Sequence, residues 1–441
     1  MKSFWQRMRI SSALRRDSAT RKPSGRSEEK ATLRITCTWP LFLILVLGGR
    51  FLAAPQAGSH DFAEQDRIVT RLSRTLGEHQ KSVGDGVCQS CHEETFKTFL
   101  KTRHRSTSHL PDEISIAGKF SEGKNRMKTL NPELSFRMDE KDGHFYQTAI
   151  LAKPSRTALR TEQFDIVVGS GRKGQTYLYW KNDRLYELPV SYWTELGRWV
   201  NSPGYVDGSA DFDRPITPRC VECHATYFEA LGPLPADNRF DKSNFVLGIS
   251  CERCHGSGIE HVRQHGAGSQ HPNGEETMAP VGLTRERQLD VCAQCHGGIG
   301  EAAAPAFSFV PGERLSDYIS LHRPAPDERV DVHGNQVALL ERSLCFQSSP
   351  AMTCSFCHDP HSPERSAASY SDRCIACHQP QKCGLYAKLG PQIAANCVDC
   401  HMPVQASSSL VFDDDEIRAA ARVRNHWIRV YPEEKGEPRK Q

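Results

Sequence analysis

Seven cysteine pairs, each followed at once by histidine, constrain this chain more than any other feature. The copies are Cys88-Cys91-His92, Cys220-Cys223-His224, Cys251-Cys254-His255, Cys292-Cys295-His296, Cys354-Cys357-His358, Cys374-Cys377-His378 and Cys397-Cys400-His401. The last three fall within 48 residues, and the seven together use fourteen of the seventeen cysteines. Two thiols at this spacing can form thioethers to the two vinyl groups of one porphyrin, with the next histidine held under the iron as proximal ligand. A zinc site or a redox pair would also use Cys-x-x-Cys, but neither needs a histidine after every second cysteine. Seven covalent haems c are therefore expected, and they set what the fold can be.

The chain has 441 residues. A porphyrin for every sixty residues or fewer would supply much of the apolar core, so a sequence of mean hydropathy −0.55 can still be compact. The expected fold class is mainly α with long loops: a multihaem cytochrome c stack with a small antiparallel β insertion. Little sheet is expected around the haems themselves. The insertion is placed at about 135–199, a stretch without cysteine where residues alternate and Asp142-Gly143 and Asn182-Asp183 signal turns. The run Gly169–Gly174 (GSGRKG) superficially suggests a phosphate loop, but it lacks the P-loop spacing and leads into a strand-like segment; a tight turn is expected. The tail around Asp413–Val430 reads as a helix with His426 near its end, and 432–441 as a disordered tail.

Residues 1–57 read as an export leader. Met1–Arg34 is basic, Trp39–Gly49 is an apolar run too short to span comfortably, and Ala53, Ala54 and Ala57 are small residues suited to cleavage. Retention as an N-terminal membrane anchor is the alternative. Residues 58–86 form a linker, and 87–431 the heptahaem domain. The leader carries eleven Lys/Arg against three Asp/Glu, a net of +8; the whole chain is +3, leaving about −5 for the rest. The exported part is thus mildly acidic, which argues against nucleic-acid binding and for steering toward basic faces of redox partners. A periplasmic or exported location follows from where haem c is attached.

Several longer blocks resemble the cytochrome c-552/c-554 family, and more closely the cytochrome part of exported proteins that carry tetratricopeptide repeats. These are CHEETFKTFLKTRH, VVGSGRKGQTYLYW with LPVSYW, SPGY, CERCHGSGIEH, CFQSSPAMTCSFCHDPH, CVDCHMP and NHWI, spread over Val87–Val430. The resemblance implies a periplasmic electron carrier or redox enzyme. It also implies that His104, His261, His361 and His426 are distal iron ligands, with His333 in a similarly suggestive block. The alternative for each is a solvated loop histidine.

Bis-histidine iron is six-coordinate and moves electrons, whereas a catalytic haem needs an open distal position. The preferred reading is an electron carrier, with a quinol-oxidising complex or a terminal reductase as partner. The second is an oxidoreductase acting on nitrite, hydroxylamine or sulfite at one open haem; no catalytic residue can be named for it from the sequence. A third reading makes the chain a structural part of a larger redox complex. Cys345 and Cys383 stand outside the motifs, and in an oxidising compartment a bridge between them is expected. A cysteine as iron ligand or nucleophile is the rival.

Overall fold

The structure is a computed structural model; it describes residues 83–232, 237–265, 282–363 and 365–432. The leader, most of the linker, His271 and the tail beyond 432 lie outside the described residues. Among the described residues strand outweighs helix, so the expectation of a mainly α chain is overturned.

Two antiparallel sheets form the larger part of the N-terminal half. Strands β1 (Ser108–His109), β2 (Arg126–Lys128), β3 (Leu134–Lys141), β4 (His144–Lys153) and β5 (Arg156–Gln163) come first. They are followed by β6 (Ile166–Val168), β7 (Gly174–Lys181), β8 (Arg184–Glu187), β9 (Val190–Trp193) and β10 (Arg198–Asn201). One sheet runs β2-β3-β4-β5; the other runs β1-β6-β7-β9-β10, with β8 also paired to β7. The turn chemistry explains the hairpins. Asp142 and Gly143 both take positive φ between the paired ends Lys141 and His144, as a two-residue primed turn requires. GSGRKG is the β6–β7 turn, with Gly169 at φ 108° and Gly171 at φ 75°. Strand β3 alternates buried and half-buried residues, while β9 is buried throughout.

An aromatic cluster joins the two sheets. Phe120 sits 4.8 Å from Phe145 of β4 and 5.5 Å from Trp199 of β10, and Phe164 stacks on Tyr177 at 4.2 Å. The Gln147 amide donates to the Val190 carbonyl at 3.0 Å and accepts from the Val190 N–H at 3.1 Å, bolting β4 to β9. A second core cluster packs Ile166, Leu178 and Leu185 against Val221, Phe228, Phe240 and Phe307. Through it the sheet seats the 220–224 motif and the hairpin of β11 (Ala225–Ala230) and β12 (Phe240–Leu247).

From Ser250 onward short helices carry the remaining motifs, interrupted by the small pair β13 (Glu301–Ala302) and β14 (Ile319–Ser320). The last two strands among the described residues, β15 (Val404–Asp413) and β16 (Arg418–Arg424), pair as a hairpin where the sequence predicts a helix. Alanine and arginine favour helix, but tertiary packing overrides that weak preference. Phe412 meets Trp193 at 4.5 Å, Ala421 is fully buried against Val200, and Arg198 Nε forms an ion pair with Asp414 at 2.8 Å.

Candidate haem-binding cavity

Each motif occupies a tight turn or a single helical turn. The His92 N–H donates to the Cys88 carbonyl at 2.9 Å, and His358 to Cys354 and His378 to Cys374 repeat the bond at 2.9 Å. Residues i, i+3 and i+4 of a helical turn share a face, so both thiols and the imidazole point to one side. That side is a single cavity of about 3960 Å³ lined by all fourteen motif cysteines and all seven motif histidines. Single-ligand pockets run to roughly 300–1,000 Å³, so this space suits several large cofactors in a row.

Thiols of different motifs lie beside one another in pairs: Cys88 by Cys251, Cys223 by Cys295, Cys292 by Cys354, and Cys374 by Cys397. The third motif joins the second and fourth through Arg253, which donates to the Glu222 carbonyl at 3.1 Å and whose own carbonyl accepts from Gln294 at 3.5 Å.

Five of the histidines singled out in the sequence, His104, His261, His333, His361 and His426, also line the cavity, together with His265; His109, His144 and His322 do not. Four form facing pairs with motif histidines. Ring centroids are 6.2 Å apart for His92–His261, 6.2 Å for His104–His296, 5.8 Å for His255–His361 and 6.1 Å for His358–His426. With metal–nitrogen bonds of roughly 2 Å on either side and the ring radii added, two imidazoles on one iron stand about this far apart. For His224, His378 and His401 no facing histidine ring at this span occurs among the described residues. After burial, repulsion from His333 does most to lower the pKa of His224.

Three of the outer nitrogens are occupied. Nδ1 of His401 pairs with the Arg429 carbonyl at 2.9 Å, Nδ1 of His426 with the Arg424 carbonyl at 3.1 Å, and Nδ1 of His296 with the Gln336 side-chain oxygen at 3.3 Å. A donor bond at Nδ1 leaves Nε2 as the coordinating atom. Burial, with lesser repulsion from neighbouring histidines, pulls His104, His224 and His426 down to about 4, so they are neutral and ready to bind metal at ordinary pH.

Two independent features test whether the lining fits a porphyrin. Among the described residues no three His, Cys, Asp or Glu side chains converge to hold an ion by themselves; the imidazoles meet in opposed pairs instead. Arg253 is 6 % exposed and its Nε has no acceptor among the described residues, as suits a cavity wall facing carboxylate-bearing cofactors.

Residues 203–256, which hold the second and third motifs, match the family model described as "Cytochrome c554 and c-prime". The chain is a multihaem c-type cytochrome. It carries covalently bound haem c. Dissimilatory sulfite reductase MccA of Wolinella succinogenes is 22 % identical over 399 residues, covering 79 % of the cytochrome and 51 % of the relative; the cytochrome thus spans about half that protein's length. No solved structure matches it.

The expected Cys345–Cys383 bridge is not formed; both thiols are free and line the cavity. Cys345 neighbours Cys357 and Cys374, and Cys383 neighbours Cys397, so each is placed by a motif rather than by the other. Sequence reasoning passed over the charged residues inside the motifs, Glu222 and Arg253. Their opposite signs at inner positions of Cys-x-x-Cys, normally free surface sites, were the available signal.

Proposed function

We propose that this cytochrome is an exported electron carrier in which seven haems, one per motif, form a continuous conduit. One observation carries the reading: imidazoles from distant segments face motif histidines at 5.8–6.2 Å inside a cavity that all seven motifs share. His261, His361, His104 and His426 are then the distal ligands of the irons at His92, His255, His296 and His358, and His333 serves the iron at His224. Neither face of such an iron is open to substrate, so these sites pass electrons without binding anything. Only fifteen residues separate His358 from Cys374 and eighteen separate His378 from Cys397. The reach of so short a chain around a porphyrin holds neighbouring irons on the order of 10–15 Å apart. The partners are redox proteins outside the cytoplasm, a quinol-oxidising complex or a terminal reductase. Intact mass of the exported protein tests the count: seven haem additions are expected, and five or fewer would end the reading.

A second reading has its own support. A relative is named a dissimilatory sulfite reductase, and His378 and His401 have no facing imidazole among the described residues. An iron with one open face there would accept sulfite, nitrite or hydroxylamine. Oxidation of the pre-reduced protein on adding each compound, followed at the haem absorption bands, separates the two readings. A carrier shows no turnover with any of the three.

A further inference from the structure

The inner residues of three motifs form a buried knot that electron transfer as such does not require. Glu222, between Cys220 and Cys223, is 3 % exposed, and Arg253, between Cys251 and Cys254, is 6 % exposed. One Glu222 oxygen accepts from the Phe307 N–H at 2.8 Å and stands 3.7 Å from Arg253 Nη2; the other accepts from Arg219 at 2.5 Å. The same Arg253 nitrogen donates to the Glu222 backbone carbonyl at 3.1 Å, and the guanidinium lies 5.4 Å from the Phe307 ring centre. Gln294, between Cys292 and Cys295, is 2 % exposed and closes the knot. Its amide donates to the Arg253 carbonyl at 3.5 Å, and its backbone carbonyl lies 3.8 Å from Cys223 Sγ.

Inner positions of a haem motif need only hold two cysteines apart, and a buried carboxylate and guanidinium there carry a desolvation cost that leucine would avoid. What charge offers at such a place is a fixed field at the iron. In surroundings of low effective dielectric that field is not screened as it would be in water. The carboxylate lies between the two cysteines that bond one porphyrin, and the guanidinium between the two that bond its neighbour.

We propose that Glu222 and Arg253 are positioning residues that set the reduction potential of the haem on Cys220 and Cys223 and lock it against the haems on the third and fourth motifs. The proposal rests on the seven-haem reading. Negative charge near an iron disfavours the added electron, so Glu222→Gln makes that haem easier to reduce. Arg253→Gln removes one of the two positive charges beside that carboxylate and makes it harder to reduce.

Spectropotentiometric titration of the haem-loaded full chain at one pH is the experiment. A unit charge at this depth is expected to change the haem's reduction equilibrium about tenfold, 59 mV for one electron, upward in Glu222→Gln and downward in Arg253→Gln. Arg253→Lys keeps the charge and should titrate like the parent, which covers the case in which Arg253→Gln loses haem. Full haem load with all potentials unmoved, or with Glu222→Gln and Arg253→Gln displaced in the same direction, overturns the proposal. So does an Arg253→Lys potential displaced by the same tenfold. If peptide mapping of the parent finds no haem on Cys220 and Cys223, the seven-haem reading itself has failed, before any variant is made.

Discussion

The ring of His358 lies parallel to that of His426 within 26°, with centroids 6.1 Å apart, although one belongs to the fifth motif and the other follows strand β16. Nothing local brings them together. The β15–β16 hairpin does so by docking on Trp193 and Val200, and the Ser343 hydroxyl secures the end by donating to the His426 carbonyl at 3.2 Å.

Replacing His426 with alanine should therefore leave both thioethers of the fifth motif intact while its iron loses one axial ligand. Electron paramagnetic resonance of the oxidised protein should show one low-spin haem replaced by one high-spin haem, with unchanged mass addition. An unaltered spectrum would make His426 a structural residue. The four pairs should also be distinguishable in the parent. The His104 and His296 planes cross at 70°, whereas those of His92 and His261 differ by 25°, so the haem on the fourth motif should give the more anisotropic low-spin signal.

Stability should depend on pH through Glu187. Burial raises its carboxyl to about 7, and the Arg214 guanidinium 3.0 Å away offsets only part of that. The unfolded carboxyl ionises near 4.5. Between these values the folded chain keeps a proton that the unfolded chain has lost, so stability falls as pH rises from 4.5 to 7 and is level above. The span corresponds to about 3 kcal/mol. Glu187→Gln should remove this component, and urea midpoints of parent and variant at pH 5 and pH 8 measure it.

The aromatic cluster between the sheets should dominate the stability of the N-terminal half. Trp199 is 2 % exposed, meets Tyr192 at 5.1 Å and Tyr177 at 5.7 Å, and donates from Nε1 to the Lys119 carbonyl at 3.0 Å. Trp199→Ala should cost about 3–5 kcal/mol. Gly118→Ala should also destabilise, by about 1–3 kcal/mol, because a Cβ there would stand 2.4 Å from Trp199 Cη2 in a ring held on all sides. Denaturant titration of both variants, with haem content as control, tests the pair.

Asp331 ties the His333 loop to the irregular part of β15. Its carboxylate accepts from the Ser407 hydroxyl at 2.9 Å, the Ser408 and Ser409 N–H groups at 3.1 and 2.9 Å, and the Ser409 hydroxyl at 2.5 Å. Burial works against its charge, but these bonds prevail and hold the carboxyl well below its usual range. Asp331→Ala should cost about 3 kcal/mol, the worth of one or two charge-assisted bonds. If His333 serves the iron at His224, the variant should also perturb one low-spin signal. An unperturbed spectrum would take His333 away from that iron.

The chemistry of the chain was far more legible than its fold. A Cys-x-x-Cys-His unit carries its meaning within five residues, and the histidines that face the motifs stood in blocks that resemble the c-552/c-554 cytochromes. The β-rich architecture was hidden for two reasons. Cofactor-dense chains suggest helix by association, and the β16 segment RAAARVR has helical composition while its strand pairing is dictated by Trp193 and Val200 far upstream. The strands between Leu134 and Asn201 were readable in part because Asp142-Gly143 and Asn182-Asp183 state their turns locally. The fate of Cys345 and Cys383 depended on which motif each would land beside, and parity of cysteines contains no such information.

The four imidazole pairs also overlap along the chain like links: His92 with His261, His104 with His296, His255 with His361, His358 with His426. Any break between His92 and His426 parts the members of at least one pair. A cut anywhere in that span separates a motif histidine from the ring that faces it, so neither piece keeps all of its pairs.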